Sequence, residues 1–217
     1  MPVTARKILA PLMLALVVGG CAGKGEISLE GGVGITAIRS ACPSVGVPAS
    51  TGDITVFDPP ASRDAAAIDV TALMTNVRST CTDAGADIVT AVTFDVRASR
   101  IRGDAARDVT LPYFITIVRG GTAVIAKRIG HVTVHFDAGQ TRAQASGTAN
   151  AIVARSAATL PEEVRKKLTE KRKAGDTNAA VDPLTAPGVR QAVLSASFEA
   201  LIGFQLTEDQ LKYNATR

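Results

Sequence analysis

Apolar positions along this chain recur mostly at every second residue. Asp53-Ile54-Thr55-Val56-Phe57 is a short alternating run stopped by Pro59-Pro60, which predicts a strand. From Ile88 to Ala98, Ile88, Val92, Phe94 and Val96 share one face, with Asp95 and Arg97 on the other. Val109 to Val118 and Thr122 to Phe136 flank Gly120-Gly121, a two-residue loop suited to positive φ, and so predict a hairpin. Pairing through that turn sets Ile117 opposite Val124, Ile115 opposite Ala126 and Val109 opposite Val132. One face then gathers Val109, Leu111, Tyr113, Ile115 and Ile117 with Val124, Val132, Val134 and Phe136. This register also sets Arg128 against Tyr113, so either the two stack or a bulge intervenes. Arg142 to Val153 reads as a further strand. Ile68 to Thr82 reads both ways. Val70, Leu73, Met74 and Val77 have helical spacing, but four threonines and two valines favour a strand, which we expect.

The remaining helical signals lie in the last third. Leu160-Pro161-Glu162-Glu163 to Lys173 carries proline and acids early and lysines late, matching the helix dipole. Its apolar stripe is narrow: Leu160, Val164 and Leu168. Ala174 to Gly188, with Pro183 and Pro187, predicts a loop, and Val189 to Leu206 is again apolar. Thr207 is placed to cap a final helix over Glu208 to Tyr213. Cys42 to Ser50, with Pro43 and Pro48, predicts irregular chain. About seven strands with evenly spaced turns predict a mainly β fold. We expect an antiparallel immunoglobulin-like β-sandwich over 41–217, with one inserted helix (about 160–188) and a short C-terminal helix. The cysteines are not spaced as the inter-sheet pair of antibody domains and there is no tryptophan, so the likeness is one of architecture.

The first residues predict an address. Arg6 and Lys7 precede an apolar stretch, Ile8 to Val18, too short to cross a bilayer, in the manner of a secretory signal peptide. Val18-Gly19-Gly20-Cys21 resembles the lipobox of bacterial lipoproteins: a branched apolar residue, two small residues and a cysteine. The resemblance implies cleavage before Cys21 and lipidation of Cys21, with residues 1–20 as signal and 21–40, rich in glycine, as a tether. Two or three acyl chains would anchor it stably. Ala22, where inner-membrane retention favours aspartate, implies the outer membrane facing the periplasm.

The body resembles small envelope lipoproteins of alphaproteobacteria. The residues that carry this are the cysteine pair, Arg78-Ser79-Thr80-Cys81, Leu111-Pro112-Tyr113-Phe114, and Gly203-Phe204-Gln205-Leu206-Thr207 through Tyr213-Asn214. None of these is a catalytic motif, and the resemblance implies no particular activity.

Composition narrows the function. The formal charge is +4 over 217 residues, and loss of Arg6 and Lys7 with the signal would leave about +2, no electrostatic case for nucleic acid. Aromatics are 4%, too few for stacking platforms. With Cys21 taken by lipid, Cys42 and Cys81 remain as an even pair in an oxidising compartment, which predicts a disulfide. It would close a loop of about 40 residues, contributing roughly 3–4 kcal/mol in the chain-entropy model. The alternatives are a free buried thiol or a reactive cysteine, and neither cysteine has a histidine nearby in sequence.

The two histidines, His131 and His135, would stand about 13 Å apart on one strand face, too far to share a metal ion. We therefore expect no metal and no cofactor. No serine lies in a nucleophile elbow, and Gly31-Gly32-Val33-Gly34 lies in the tether rather than at a strand-to-helix turn. Asp104 and Asp108 with Arg100, Arg102 and Arg107 predict a charged loop, either solvated or an edge for binding. Arg165, Lys166, Lys167, Lys171, Arg172 and Lys173 form a basic helix face. It is either solvated and balanced by Glu162, Glu163 and Glu170 or a contact for anionic headgroups and phosphates. These features predict no enzyme. They predict a lipid-anchored, non-enzymatic binding or assembly module with a protein partner in the envelope. The alternative is a carrier or assembly factor for lipid or lipopolysaccharide.

Overall fold

The computed structural model describes residues 40–216 apart from Ala84, Arg172, Ala174 and Asn178. Cys21, the signal segment, the tether before Ser40 and Arg172 therefore lie outside the described residues.

Eight strands run in chain order: β1 (Ser44–Gly46), β2 (Asp53–Phe57), β3 (Ile68–Thr82), β4 (Asp87–Arg100), β5 (Arg107–Arg119), β6 (Ala123–Phe136), β7 (Arg142–Ala154) and β8 (Phe198–Phe204). They form two four-stranded sheets, β1-β8-β5-β6 and β2-β3-β4-β7. Every pairing is antiparallel except β1 with β8. Side chains of both sheets fill one core. Ile88, Val92, Phe94 and Val96 of β4 join Leu111 of β5, Val134 and Phe136 of β6, and Ile202 and Phe204 of β8, all nearly inaccessible. The expected mainly β class and the strand reading of Ile68 to Thr82 hold.

Two bulges explain where the residue pattern misleads. The β5–β6 turn has both glycines at positive φ, Gly120 at 62° and Gly121 at 79°, as a tight hairpin requires. Beyond it the ladder slips. Arg119 pairs with Ala123, so the loop holds three residues, Gly120 to Thr122, and moves the ladder by one; Val118 then pairs with Val124 but Ile117 with Ala126, and the extra Ile125 moves it by one more. The expected register is thus wrong by two residues over most of its length: Ile115 faces Arg128, Val109 faces Val134, and Tyr113 faces Gly130 rather than Arg128. A slip of two keeps side chains on the same face, so apolar matching could not detect it. It does eject Val124 from the core face.

In β3 the register with β4 shifts between Thr75 and Arg78, with Asn76 at φ 51°. Val70, Ala72 and Met74 point into the core before the bulge, and Val77 and Cys81 pack against it after. That change of parity mimics helical spacing. It also turns Cys81 toward Cys42, and the two form the expected disulfide.

The centre of the core is set by two cross-strand pairs. Phe94 of β4 lies opposite Gly147 of β7, and Tyr113 of β5 lies opposite Gly130 of β6. Each ring covers its glycine, and the two rings meet edge to face at 4.9 Å. The Tyr113 hydroxyl donates to the Thr148 carbonyl at 2.7 Å, linking the sheets.

Among the described residues, the insertion between β7 and β8 holds three α-helices rather than one: α1 (Arg155–Ala158), α2 (Glu162–Thr169) and α3 (Pro187–Ser195). The helix expected to reach Lys173 ends at Thr169, with Glu170 already extended. Its last buried anchor is Leu168, and nothing apolar follows to hold another turn. Val164 and Leu168 pack on Val189 of α3 in a small cluster separate from the main core. The final helix, α4 (Glu208–Thr216), starts where expected. Thr207 Oγ1 accepts from the Gln210 N–H at 3.2 Å, and the Gln210 side chain accepts from the Thr207 N–H at 2.9 Å.

Candidate functional site

The outer face of the β2-β3-β4-β7 sheet holds an open groove of about 670 Å³. Alternation in β4 turns Arg97 and Ser99 outward because their neighbours Val96 and Ala98 fill the core. Ser99 pairs with Arg142 and Arg97 with Gln144, so two guanidinium groups come from adjacent strands on one face. Thr71 and exposed Leu73 of β3 supply the middle of the groove. Among the described residues neither Arg97 nor Arg142 is in an ion pair. The far side is β2, held in place by α4. Gln210 donates to the Thr55 carbonyl, Asn214 donates to the carbonyls of Ser50 and Asp53, and Tyr213 meets Phe57 edge to face. Cationic, hydroxyl, amide and aliphatic groups thus meet on a rigid sheet. The lining also includes the Asp53 carboxylate, so the surface offers groups of both charges to a ligand.

Neither Arg97 nor Arg142 is among the site residues that the sequence pattern singles out. Arg97 was legible as outward-facing in the β4 alternation. Its meeting with Arg142 depends on β4 pairing with a strand more than forty residues later, which no local pattern shows.

The basic stretch is only partly a helix face. Arg165, Lys166 and Lys167 are exposed on α2, whereas Lys171 and Lys173 lie beyond its end. Glu162 pairs with Arg165 and, at 3.9 Å, with Lys166. Arg165, Glu162 and Leu168 line a second groove, of about 510 Å³, together with Ser40. The chain therefore enters the folded body beside α2.

The charged loop is divided between structure and solvent. Arg100 is buried over the Phe136 ring and donates to four carbonyls, those of Gln140, Ala105, Gly103 and Asp137. It fastens the two loops at that end of the sheets. Arg107 holds the buried Asp69 through two hydrogen bonds, 3.0 and 2.5 Å. Those bonds keep the Asp69 carboxyl below its ordinary range against the opposing effect of burial. Arg102 reaches Asp58 at the surface, and Asp104 is exposed.

His131 and His135 occupy the solvent face of β6, opposite to Val132 and Val134. His135 Nδ1 lies 2.6 Å from Asp108, its cross-strand partner, and Nε2 lies 3.3 Å from Asp137. The Asp108 hydrogen bond raises its pKa above the ordinary value. Among the described residues no group of three or more His, Cys, Asp or Glu is placed to hold a metal ion. No protein family, curated protein or solved structure matches the chain.

Proposed function

We propose that this chain is a lipid-anchored envelope protein, held through Cys21, that acts as a non-enzymatic binding or assembly module for another envelope protein. The observation that carries the binding role is the groove of Thr71, Leu73, Arg97, Ser99, Arg142 and Gln144, recognition chemistry on a pinned sheet. The Cys42–Cys81 disulfide supports export, since such bonds persist in oxidising compartments. Two sheets around a filled core support reading the body as an immunoglobulin-like sandwich.

The test is crosslinking in living cells, then purification of the full-length protein and mass spectrometry, with Cys21→Ala as control. One specific envelope protein enriched only with the anchored form is the expected result. Fractionation of Cys21→Ala with membranes, as the parent does, would remove the lipid anchor from the reading.

A second reading, contact with anionic lipid or lipopolysaccharide phosphates in a carrier or assembly role, is favoured by the place of α2. The groove that contains Ser40 also contains Arg165, so the basic residues would lie at the membrane-facing end. It predicts salt-sensitive binding to anionic vesicles that charge reversal at Lys166, Lys167 and Lys171 abolishes.

A further inference from the structure

We propose that the open edge of β6 over Ala123–Ile129 is a strand-addition site that takes an extended, acidic segment of a partner polypeptide. The proposal rests on the binding-module reading and specifies its partner's chemistry.

β6 is the last strand of its sheet, so its far edge has no strand partner among the described residues. From Val132 onward it alternates between core and solvent, but Ala123 to Ile129 is exposed throughout. Three large apolar side chains stand in water there: Val124 at 66% exposure, Ile125 at 50% and Ile129 at 57%. Ile152 of β7, the outermost strand of the other sheet, is also exposed. It shares with Ala126 and Arg128 a small cleft whose floor is Ile115 and Ile117. Folded proteins usually blunt an edge with brevity, prolines, bulges or charges; β6 has the bulge at Ile125 and the cations Lys127 and Arg128, which oppose a like-charged strand but not an acidic one. β6 is 14 residues long and has no proline. An edge of this kind offers its main-chain hydrogen bonds to an added strand and its apolar side chains to that strand's alternate residues.

The charge on the edge selects the occupant. Lys127 and Arg128 sit in the middle of the exposed stretch, with Lys127 held over the Phe114 ring at 5.1 Å. Neither β6 nor β7 contains a carboxylate. Two copies of this chain pairing edge to edge would bring these cations together, whereas an acidic strand with alternating apolar residues would complement them. The edge also starts at the end where the chain enters the body. Gly120 of the β5–β6 turn donates to the Ser197 carbonyl, and the neighbouring Ala196 lines the groove that holds Ser40.

The test uses the full-length protein in detergent and reads amide hydrogen exchange by mass spectrometry. The probe is a synthetic peptide of alternating valine and glutamate. Its controls are the same peptide interrupted by prolines and a valine–lysine peptide. The expected result is slowed exchange across Ala123–Ile129 with the acidic peptide alone. Lys127→Glu combined with Arg128→Glu should weaken that peptide by about tenfold or more and bring in the lysine peptide. Equal protection by the proline-interrupted peptide, or protection located at the Arg97–Arg142 groove or at α2, would overturn strand addition. Protection of the same residues without peptide would also overturn it. If it grows with protein concentration, the occupant is a second copy, and if it does not, the occupant is the chain's own N-terminal segment. A specific partner captured in cells together with failure here would leave the binding module standing and remove only this edge.

Discussion

Replacing Gly147 with alanine adds a methyl group where the Phe94 ring already lies. A Cβ built at Gly147 would stand 2.3 Å from Phe94 Cζ, with two further ring atoms within 2.9 Å. Phe94 is 1% exposed and meets Tyr113 edge to face, so the ring has no free volume to enter. In the middle of a strand, alanine is intrinsically better than glycine by about 0.5–1 kcal/mol. Overpacking a filled core costs about 1–3 kcal/mol and outweighs that gain. The expected net loss is about 1–2 kcal/mol, a fall in Tm of roughly 2–8 °C for a body of this size. Gly46 in β1 is the control, because a Cβ there would meet only Leu201 Cδ2 at 3.7 Å, an ordinary contact. Gly46→Ala should be neutral or stabilising by up to about 1 kcal/mol. Thermal and urea melts of both variants, with Phe94→Leu alone and in the Gly147→Ala background, complete the comparison. The smaller leucine should absorb part of the Gly147→Ala loss, giving a measurable coupling. If Gly147→Ala melts no lower than Gly46→Ala, or the cycle shows no coupling, the aromatic ring is not what demands glycine at that site.

Other expectations are more local. Changing both Cys42 and Cys81 to serine opens a loop spanning 39 residues and should cost about 3–4 kcal/mol, read as a lower urea midpoint in non-reducing buffer. The depressed pKa of Asp69 makes its contribution to stability complete above about pH 3.9, the unfolded value, and lost as pH falls through the folded one. The urea midpoint of Asp69→Asn should therefore converge on that of the parent as pH drops below about 3.9; parallel curves would exclude the Arg107 pair as an acid-sensitive contact. For His135 the sign is opposite: its raised pKa favours the folded state at low pH, and the effect fades as pH rises through that value. Asp108→Asn should lower the His135 pKa in a proton NMR titration, and an unchanged titration would exclude the 2.6 Å hydrogen bond in solution.

Strand content was legible because inward and outward residues alternate strictly where a strand is unbroken, as in β4. It became ambiguous where a bulge changed the parity. Val70, Met74 and Val77 all reach the core and Leu73 points outward, so four apolar residues at helical spacing come from both faces of a bulged strand. The disulfide was readable from the number of cysteines and from the oxidising compartment that the lipobox resemblance implies. The hairpin turn was readable from its two glycines, but the third loop residue and the extra Ile125 were not, since together they shift the register by two, which preserves every facing beyond Ile125 and turns Val124 outward. Gly130 and Gly147 carried a readable hint, as glycines within otherwise strand-like runs. Their meaning depends on the aromatic residues opposite, which only the true register supplies. The groove and the β6 edge were hidden for a similar reason. Each is defined by which strand is last in a sheet or next to another, and that is set by long-range pairing.

The disulfide also decides how the body would carry a load. A pull arriving through Ser40, as from an anchored N-terminus, reaches Cys42 before β1. Without the crosslink the force would fall on β1, three residues paired only with β8. Peeling that strand away would need a few hydrogen bonds to fail one after another. With Cys42 bonded to Cys81, the force passes instead into the end of β3, which pairs with β4 over Arg78–Thr82 and with β2 farther along, over Ile68–Leu73. The short strand is thereby shielded, and extension of the tether is resisted by the longer β3–β4 ladder.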